Sequence, residues 1–168
     1  MGGAIAPFKV SETLICASNV SGVGDDGTMQ IEYDDDPARV QREVVREWLK
    51  TEAYWGTWRG DAEIDACIDG AWRVVGAYRG DTGALVGFAR AVSDGVGFAY
   101  LADVFVLPEA RGEGVGTGLV RTMIDEGPGA AFRWTLFTKD AHGLYRKFGF
   151  AEPDASAMVR VAGDLQSR

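Results

Sequence analysis

Apolar and polar positions alternate with different periods along the chain and so divide it into helical and extended segments. After Pro37, apolar residues recur every three or four positions, as on one face of a helix. They are Val40, Val44, Val45, Trp48 and Leu49. Residues 61–68 predict a second, shorter helix. Three apolar runs follow at 72–78, 84–92 and 98–106, separated by the turn sequences RGDTG and SDGVG, which predicts an antiparallel meander.

Further elements are predicted on both sides of this meander. Residues 29–33 (MQIEY) predict the first strand. Leu119, Val120, Met123 and Ile124 lie on one face of a helix that Gly127 ends. A strand at 132–138, a short helix at 140–148 closed by Gly149, and a final strand pair near Phe150 and at 158–161 complete the pattern.

This order of elements predicts a mixed α/β (α+β) fold, with a mostly antiparallel central sheet flanked by helices. A chain of 168 residues is long enough for one hydrophobic core. Residues 1–28 are glycine-rich and lack a sustained apolar period, although a short strand at 13–17 fits the pattern. We therefore predict one domain at 29–168, after an N-terminal extension that is either flexible or in contact with a partner subunit.

The composition of the chain argues against several classes of binding partner and cofactor. The net charge of -8 argues against a nucleic-acid surface, because duplex binding depends on Lys and Arg. Cys16 and Cys67 form neither a CxxC pair nor a disulfide framework, which favours the cytoplasm. The N-terminus does not have the pattern of a signal peptide, and no apolar run is long enough to span a membrane. With a single histidine, a zinc site is not expected.

A glycine-rich segment, VLPEARGEGVG, joins an apolar strand to a helix. The first N–H groups of a helix have no intrahelical partner and carry partial positive charge, so this junction can bind a pyrophosphate. The GxGxxG dinucleotide pattern fails, because Thr117 and Leu119 stand where its third glycine would be. A Walker A loop fails because no Gly-Lys-Ser/Thr follows. The remaining alternative is a structural role, in which the glycine-rich turn only tightens the connection between the strand and the helix.

A second motif, TKDAHGLYRKFGF, follows the predicted strand at 132–138. The two motifs together resemble those of the GNAT superfamily of N-acetyltransferases. The resemblance is carried by Arg111, Gly114 and Gly116 in the first motif, and by Leu144, Tyr145, Gly149 and Phe150 in the second. It covers about residues 29–161.

The resemblance implies acetyl-CoA as cosubstrate, no metal, and transfer of the acetyl group to a primary amine by direct attack in a ternary complex. The cofactor-binding residues that it implies are Val104, Phe105, Val106, Arg111, Gly112, Glu113, Gly114, Val115, Gly116, Thr117, Thr138 and Tyr145. Tyr145 stands at the family's general acid, which protonates the departing thiolate. Thr138 stands where many relatives have an Asn that contacts the pantetheine or the substrate. A threonine hydroxyl can also form such a hydrogen bond.

An amine must lose its proton before it attacks a thioester, and two residues are candidates for taking that proton. Asp103 interrupts an apolar strand, where a buried carboxylate is either functional or paired with backbone groups or an arginine. His142 lies three residues before Tyr145, so both face neighbouring sides of the short helix. A structural or surface role is the alternative for this histidine.

The resemblance implies that the first two helices and their connection line the acceptor pocket. Four aromatic residues fall there: Trp48, Tyr54, Trp55 and Trp58. Packing against the sheet is the expected role for most of them, and a wall for a cationic or aromatic amine is the alternative. A small molecule or peptide amine is the expected acceptor, and its identity stays open. A homodimer is the expected assembly.

Two other functions compete with acetyl transfer. The first is a non-catalytic acyl-CoA sensor or interaction module on the same fold, against which the retention of Tyr145 argues. The second is a toxin that acetylates charged transfer RNA, which the acidic balance of the chain disfavours.

Overall fold

Five strands form a single sheet in the computed structural model, which describes residues 30–160. The strands are β1 (Ile31–Asp34), β2 (Arg73–Arg79), β3 (Leu85–Ser93), β4 (Phe98–Val106) and β5 (Arg133–Thr135). Their order in the sheet follows the chain. The first four are antiparallel neighbours, whereas β5 runs parallel to β4. The mixed, mostly antiparallel sheet is therefore as predicted.

Helices cover both faces of this sheet. They are α1 (Arg42–Thr51), α2 (Asp61–Asp69), α3 (Val115–Ile124) and α4 (His142–Tyr145), with 3-10 turns at Pro37–Arg39, Pro108–Ala110 and Arg146–Phe148. Alternate residues of β2 and β3 point to opposite faces and build two apolar clusters. One cluster packs against α1 and α2 and the other against α3 and α4.

The meander forms where the turn sequences predict it. In the turn between β3 and β4, the Asp94 carboxylate accepts the N–H groups of Val96, Gly97 and Phe98 at 2.9–3.2 Å. Gly95 has a φ of 74° there, a conformation that favours glycine. These local bonds fix the hairpin without help from the rest of the chain.

Helix α3 lies close against the sheet because a glycine faces β1. The Tyr33 hydroxyl donates to the carbonyl of Val115 at 3.3 Å. A Cβ on Gly118 would overlap the Tyr33 ring. This close approach sets the distance between the start of α3 and the sheet. It therefore also sets the position of the glycine-rich loop that precedes α3.

The predicted helix from Pro37 is divided in the structure. A 3-10 turn at Pro37–Arg39 is capped by the Asp36 carboxylate, which accepts the Ala38 N–H at 2.9 Å. Val40 is extended, with ψ of 116°, so α1 begins only at Arg42. The short helix predicted at 140–148 is likewise α4 followed by a 3-10 turn, and it closes at Gly149 with φ of 80° as expected.

Two strand predictions were wrong in extent. Strand β5 has three residues instead of seven, because the chain leaves β4 after Thr135. The final strand pair is absent from the described residues: 150–160 contain no strand, and Met158 and Val159 are 95% and 66% exposed. Their apolar pattern has no sheet face to pack on. Met29, Val161 and the extension at 1–28 lie outside the described residues.

Candidate active site

A gap between two strands creates a cavity in the sheet. Within residues 30–160, strand β4 pairs with β5 only from Phe98 to Tyr100, and its remaining residues have β3 alone as a neighbouring strand. A cavity of about 440 Å³ lies at this split. Its lining comes from the α1–α2 connection, from β3 and β4, and from residues 136–145. Because the strands diverge, side chains from both faces of the sheet reach one space.

A β-bulge in β4 sets the direction of the side chains around Asp103. Phe88 pairs with Phe105 and Arg90 with Ala102, so two residues of β4, Asp103 and Val104, lie opposite one residue of β3. Asp103 has φ of 49°, which is uncommon for a residue other than glycine. The bulge brings Asp103 to the side of the sheet that carries Arg90.

The Asp103 carboxylate is buried among three donors. Arg59 binds both of its oxygens, at 2.9 and 3.0 Å. Arg90 Nε donates to Oδ2 at 2.5 Å, and the Trp55 indole N–H donates to Oδ1 at 3.0 Å. Burial raises the pKa of Asp103, but the hydrogen bond from Arg59 and the charges of Arg90 and Arg59 outweigh it and lower this pKa to about 2. The carboxylate is thus ionised at neutral pH and is a weak base, which suits a positioning role better than proton transfer.

The connection between α1 and α2 delivers Arg59 to this carboxylate. Gly56 N–H donates to the carbonyl of Ala53 at 2.7 Å, and Arg59 N–H donates to that of Gly56 at 3.0 Å. A Cβ at position 56 would come within 2.7 Å of Arg59 Nη2. The connection therefore needs glycine where the guanidinium passes.

The aromatic residues of this region divide into two groups. Trp48 packs in the core and stacks on Phe105, with ring centroids 4.3 Å apart. Tyr54, Trp55 and Trp58 line the cavity and are 39–50% exposed. The expectation that most of the four serve to pack the sheet was therefore wrong, because one does and three form a wall.

Tyr145 occupies the opposite wall of the cavity, on α4. The side chain is buried, and its ring lies edge-on to Phe150 at 5.9 Å. Burial, with a smaller contribution from the nearby negative charge of Asp140, raises the pKa of Tyr145 to about 12. The hydroxyl therefore keeps its proton at neutral pH.

The glycine-rich loop turns directly into the start of α3. Gly112 and Gly114 have φ of 85° and 80°, and α3 starts at Val115, directly after Gly114. The N–H groups of Val115 and the two residues after it belong to the first helical turn and lack intrahelical acceptors. Arg111 turns back, and its Nε donates to the carbonyl of Val106 at 3.1 Å.

The second motif lies beside this loop. An ideal Cβ on Gly116 would lie 3.5 Å from Val106 Cγ2 and 3.8 Å from Leu144 Cδ2, so the start of α3 touches both β4 and α4. Because Leu144 precedes Tyr145, the two sequence motifs meet in space. Within the chain order they are separated by a helix and a strand.

His142 and Thr138, two further residues predicted for the site, differ in their position relative to the cavity. His142 is exposed at the start of α4 and is not among the residues that line the cavity. Thr138 does line the cavity, and its hydroxyl accepts the Ala141 N–H at 3.1 Å, which shapes the turn into α4. Arg59, Arg90 and Tyr100 were not predicted for the site. Only their long-range contacts place them there.

A second depression of about 650 Å³ lies away from this split, near the start of β2. Its charged residues bind one another: Arg42 to Asp69 at 2.5 Å and Arg73 to Asp35 at 2.9 Å. With these charges mutually satisfied, we assign the chemistry to the cavity at the split.

The fold and the site together have the features of an acyltransferase: a split mixed sheet, a glycine-rich helix start beside β4 and α4, and a buried tyrosine facing the split. Residues 30–150 match the model of the acetyltransferase (GNAT) family. The chain therefore belongs to this family.

Similar proteins agree with this assignment. The acetyltransferase candidate FG08082 of Gibberella zeae is 30% identical over 132 residues, covering 67% of this chain and 73% of that protein. A crystal structure of a candidate GNAT acetyltransferase from Xanthomonas campestris pv. campestris is 32% identical, with a TM-score of 0.76, and covers 84% of this chain and 100% of that one. A GNAT acetyltransferase from Brucella melitensis, solved in complex with acetyl-CoA, has the same fold at 24% identity and a TM-score of 0.56, covering 74% and 84% of the two chains.

Over residues 30–160, no group of three or more His, Cys, Asp or Glu side chains is arranged to hold a metal ion. In the same part of the chain, no helix has the length and apolar character needed to cross a membrane.

Proposed function

We propose that this protein transfers an acetyl group from acetyl-CoA to the primary amine of a small molecule or peptide, by direct attack in a ternary complex. The observation that carries the proposal is the buried Tyr145 hydroxyl at the split, on a helix that touches the glycine-rich loop through Leu144 and Gly116. The proton donor thus borders the cavity on a helix that adjoins the start of α3, which is suited to binding pyrophosphate.

The residues near the split fit coenzyme A in two parts. The loop from Arg111 to Thr117 offers backbone N–H groups and two glycines with positive φ to the pyrophosphate. Val104, Phe105 and Val106 belong to the part of β4 that has no strand on its β5 side among the described residues. An extended pantetheine arm can pair with that edge as an added strand does.

In the proposed reaction, the amine nitrogen forms a bond to the thioester carbonyl carbon, and the bond from that carbon to sulfur then breaks. The departing sulfur receives the proton of the Tyr145 hydroxyl, and the nitrogen loses a proton as the amide forms. The tyrosine recovers its proton from the nitrogen through water. A pKa of about 12 keeps Tyr145 protonated until the thiolate appears.

The amine loses its first proton before attack. Asp103, with a pKa of about 2, is a poor acceptor for that proton, and the exposed His142 stands outside the cavity lining. We infer that this proton passes to water and that Asp103 positions Arg59, Arg90 and Trp55 around the acceptor. Thr138 holds the turn that presents α4.

Isothermal titration of the protein with acetyl-CoA, followed by thiol release on a panel of amines, tests this proposal. Binding with amine-dependent thiol release is the expected result. Binding without release on any amine would favour a sensor on the same fold. Absence of binding would contradict the proposed use of the loop.

A further inference from the structure

The cavity at the split is more basic than the chain around it. Its charged lining consists of Arg59, Arg90 and Lys139 against Asp103 and Asp140, an excess of one positive charge, whereas the whole chain carries -8. Local positive charge inside an acidic protein raises the concentration of anionic ligands at the site. A polycationic acceptor would instead meet like charge.

Arg90 keeps part of its positive charge, because the single carboxylate of Asp103 pairs with both Arg59 and Arg90. Both oxygens of Asp103 are already saturated, since Oδ1 accepts from Trp55 and Arg59 and Oδ2 accepts from Arg59 and Arg90. Arg90 contributes only its Nε to this cluster. Its two terminal nitrogens donate to no acceptor among residues 30–160, although the side chain lines the cavity and is only 12% exposed.

Within residues 30–160, the terminal N–H groups of the Arg90 guanidinium have no acceptor, so they are available to bind a ligand. Its planar fork matches the two oxygens of a carboxylate. Because Asp103 holds the Nε side of Arg90, the guanidinium plane is fixed before a ligand arrives. That preorganisation lowers the entropic cost of binding an anion.

Aromatic rings form the rest of the wall. Trp55 and Trp58 are 39% and 50% exposed and line the cavity beside Tyr54. Phe137, on the other side of the split, is 68% exposed and lies 5.9 Å from the Tyr100 ring. Rings exposed at the mouth of a cavity favour a flat apolar body in the ligand.

We propose that the acceptor is an amino carboxylate with an aromatic side chain, whose carboxylate binds the terminal nitrogens of Arg90 and whose ring packs against Trp55 and Trp58. This inference rests on the proposed acetyl transfer and names its substrate class. The amine of such a molecule is then directed toward Tyr145 across the split.

Matched ligands test the proposal on the wild-type protein. L-phenylalanine, its methyl ester and 2-phenylethylamine share the ring and the amine, but only the first has a carboxylate. Titration of each into the protein saturated with coenzyme A should show L-phenylalanine binding at least about tenfold more tightly than the other two, the size expected for hydrogen bonds to a charged group. With acetyl-CoA, mass spectrometry should detect N-acetylphenylalanine.

An Arg90→Gln variant, which retains a polar side chain, should abolish this preference while the dissociation constant for acetyl-CoA stays within about twofold. Arg79→Gln is the matched control, because Arg79 pairs with Asp81 on the surface, away from the cavity. Should Arg90→Gln fail to fold, the three-ligand comparison on wild type still decides the question.

The outcomes separate this inference from the proposed function. Equal or tighter binding of 2-phenylethylamine or of spermidine, or no binding of L-phenylalanine at millimolar concentration, would overturn the inference even if other amines are acetylated. Loss of acetyl-CoA binding alone would overturn the proposed function. In that case the three ligands are titrated into the protein without coenzyme A, so the comparison still measures acceptor binding by itself.

Discussion

Two side chains of the cavity have pKa values displaced in opposite directions by their surroundings. Tyr145 is buried beside the negative charge of Asp140, and its pKa rises to about 12. Asp103 is also buried, but two arginines bind it, and its pKa falls to about 2. At neutral pH, Tyr145 therefore retains a proton that it can donate, and Asp103 carries a negative charge.

Replacement of Tyr145 by Phe removes the hydroxyl and keeps the ring on Phe150. We expect kcat to fall about a hundredfold or more, the usual size of general acid catalysis, while the dissociation constant for acetyl-CoA is unchanged. Steady-state kinetics and titration on the same preparation measure both quantities. A variant with unaltered kcat would remove Tyr145 from the mechanism.

Replacement of Asp103 by Asn leaves the buried Arg59 without its counter-ion, so we expect a loss of about 3 kcal/mol in the free energy of unfolding at pH 7. The folded pKa lies below the unfolded value, so the contribution of Asp103 is present above pH 4 and is lost as the pH falls toward 2. Denaturant titrations across this range should show wild type and Asp103→Asn converging.

The control for this experiment is Asp81→Asn. Asp81 pairs with Arg79 in an exposed position, where solvent screens the interaction. We expect its stability to match wild type at neutral pH. A similar loss in both variants would show that the charge change itself, rather than the buried cluster, causes the effect.

At the scale of elements, the proposed pyrophosphate site at the junction of β4, the glycine-rich loop and α3 depends on backbone geometry. Gly114 is in the left-handed conformation that caps α3, and an ideal Cβ there meets no atom within 4 Å. A substitution at this position is therefore strained without being sterically blocked. Gly83, in the turn between β2 and β3, has the same two properties with φ of 67°.

Gly114→Ala and Gly83→Ala form a matched pair. Each should destabilise the fold by about 1 kcal/mol, because L-residues are disfavoured in this region. Only Gly114→Ala should weaken acetyl-CoA binding, since it alone shifts the N–H groups at the start of α3. Melting temperatures and dissociation constants of both variants provide the test, and equal affinities would contradict the assignment of the loop.

Sequence alone predicts the elements whose signals are local. The meander follows from two turn sequences, one of them fixed by the Asp94 carboxylate, and the loop from glycines that adopt positive φ. Pairing of Asp103 with an arginine was one of the interpretations that the sequence left open, but the partner could not be predicted, because Arg59 lies 44 residues away and carries no local signal for this pairing. The early end of β5 could not be predicted either, because apolar residues continue to Phe137. It depends on where β5 diverges from β4.

At the scale of the whole molecule, the split connects the two faces of the sheet. Asp103, Arg59 and Trp55 reach the cavity from the side of α1 and α2, and Tyr145 reaches it from the side of α3 and α4. In the proposed reaction, the two substrates can therefore approach the cavity from opposite directions. A closed sheet would separate these residues by a layer of backbone.

The proposed boundary of the domain can be tested at this scale. We expect a chain lacking residues 1–28 to bind acetyl-CoA within about twofold of the full chain, because every residue assigned to the proposed site belongs to residues 30–160. Titration and light scattering on both chains check affinity and assembly. A dimer that dissociates on truncation would place the extension at a subunit contact, and a lost affinity would refute the boundary.

The bulge at Asp103 also bears on how such a protein changes in evolution. Residues of β4 before and at the bulge, with the α1–α2 connection, border the space proposed for the acceptor, and residues after it border the space proposed for the cofactor. Mutations at Trp58 or Arg90 can therefore alter substrate preference while the inherited coenzyme site stays intact. Diversification of the acceptor within one lineage would then proceed through a small number of positions.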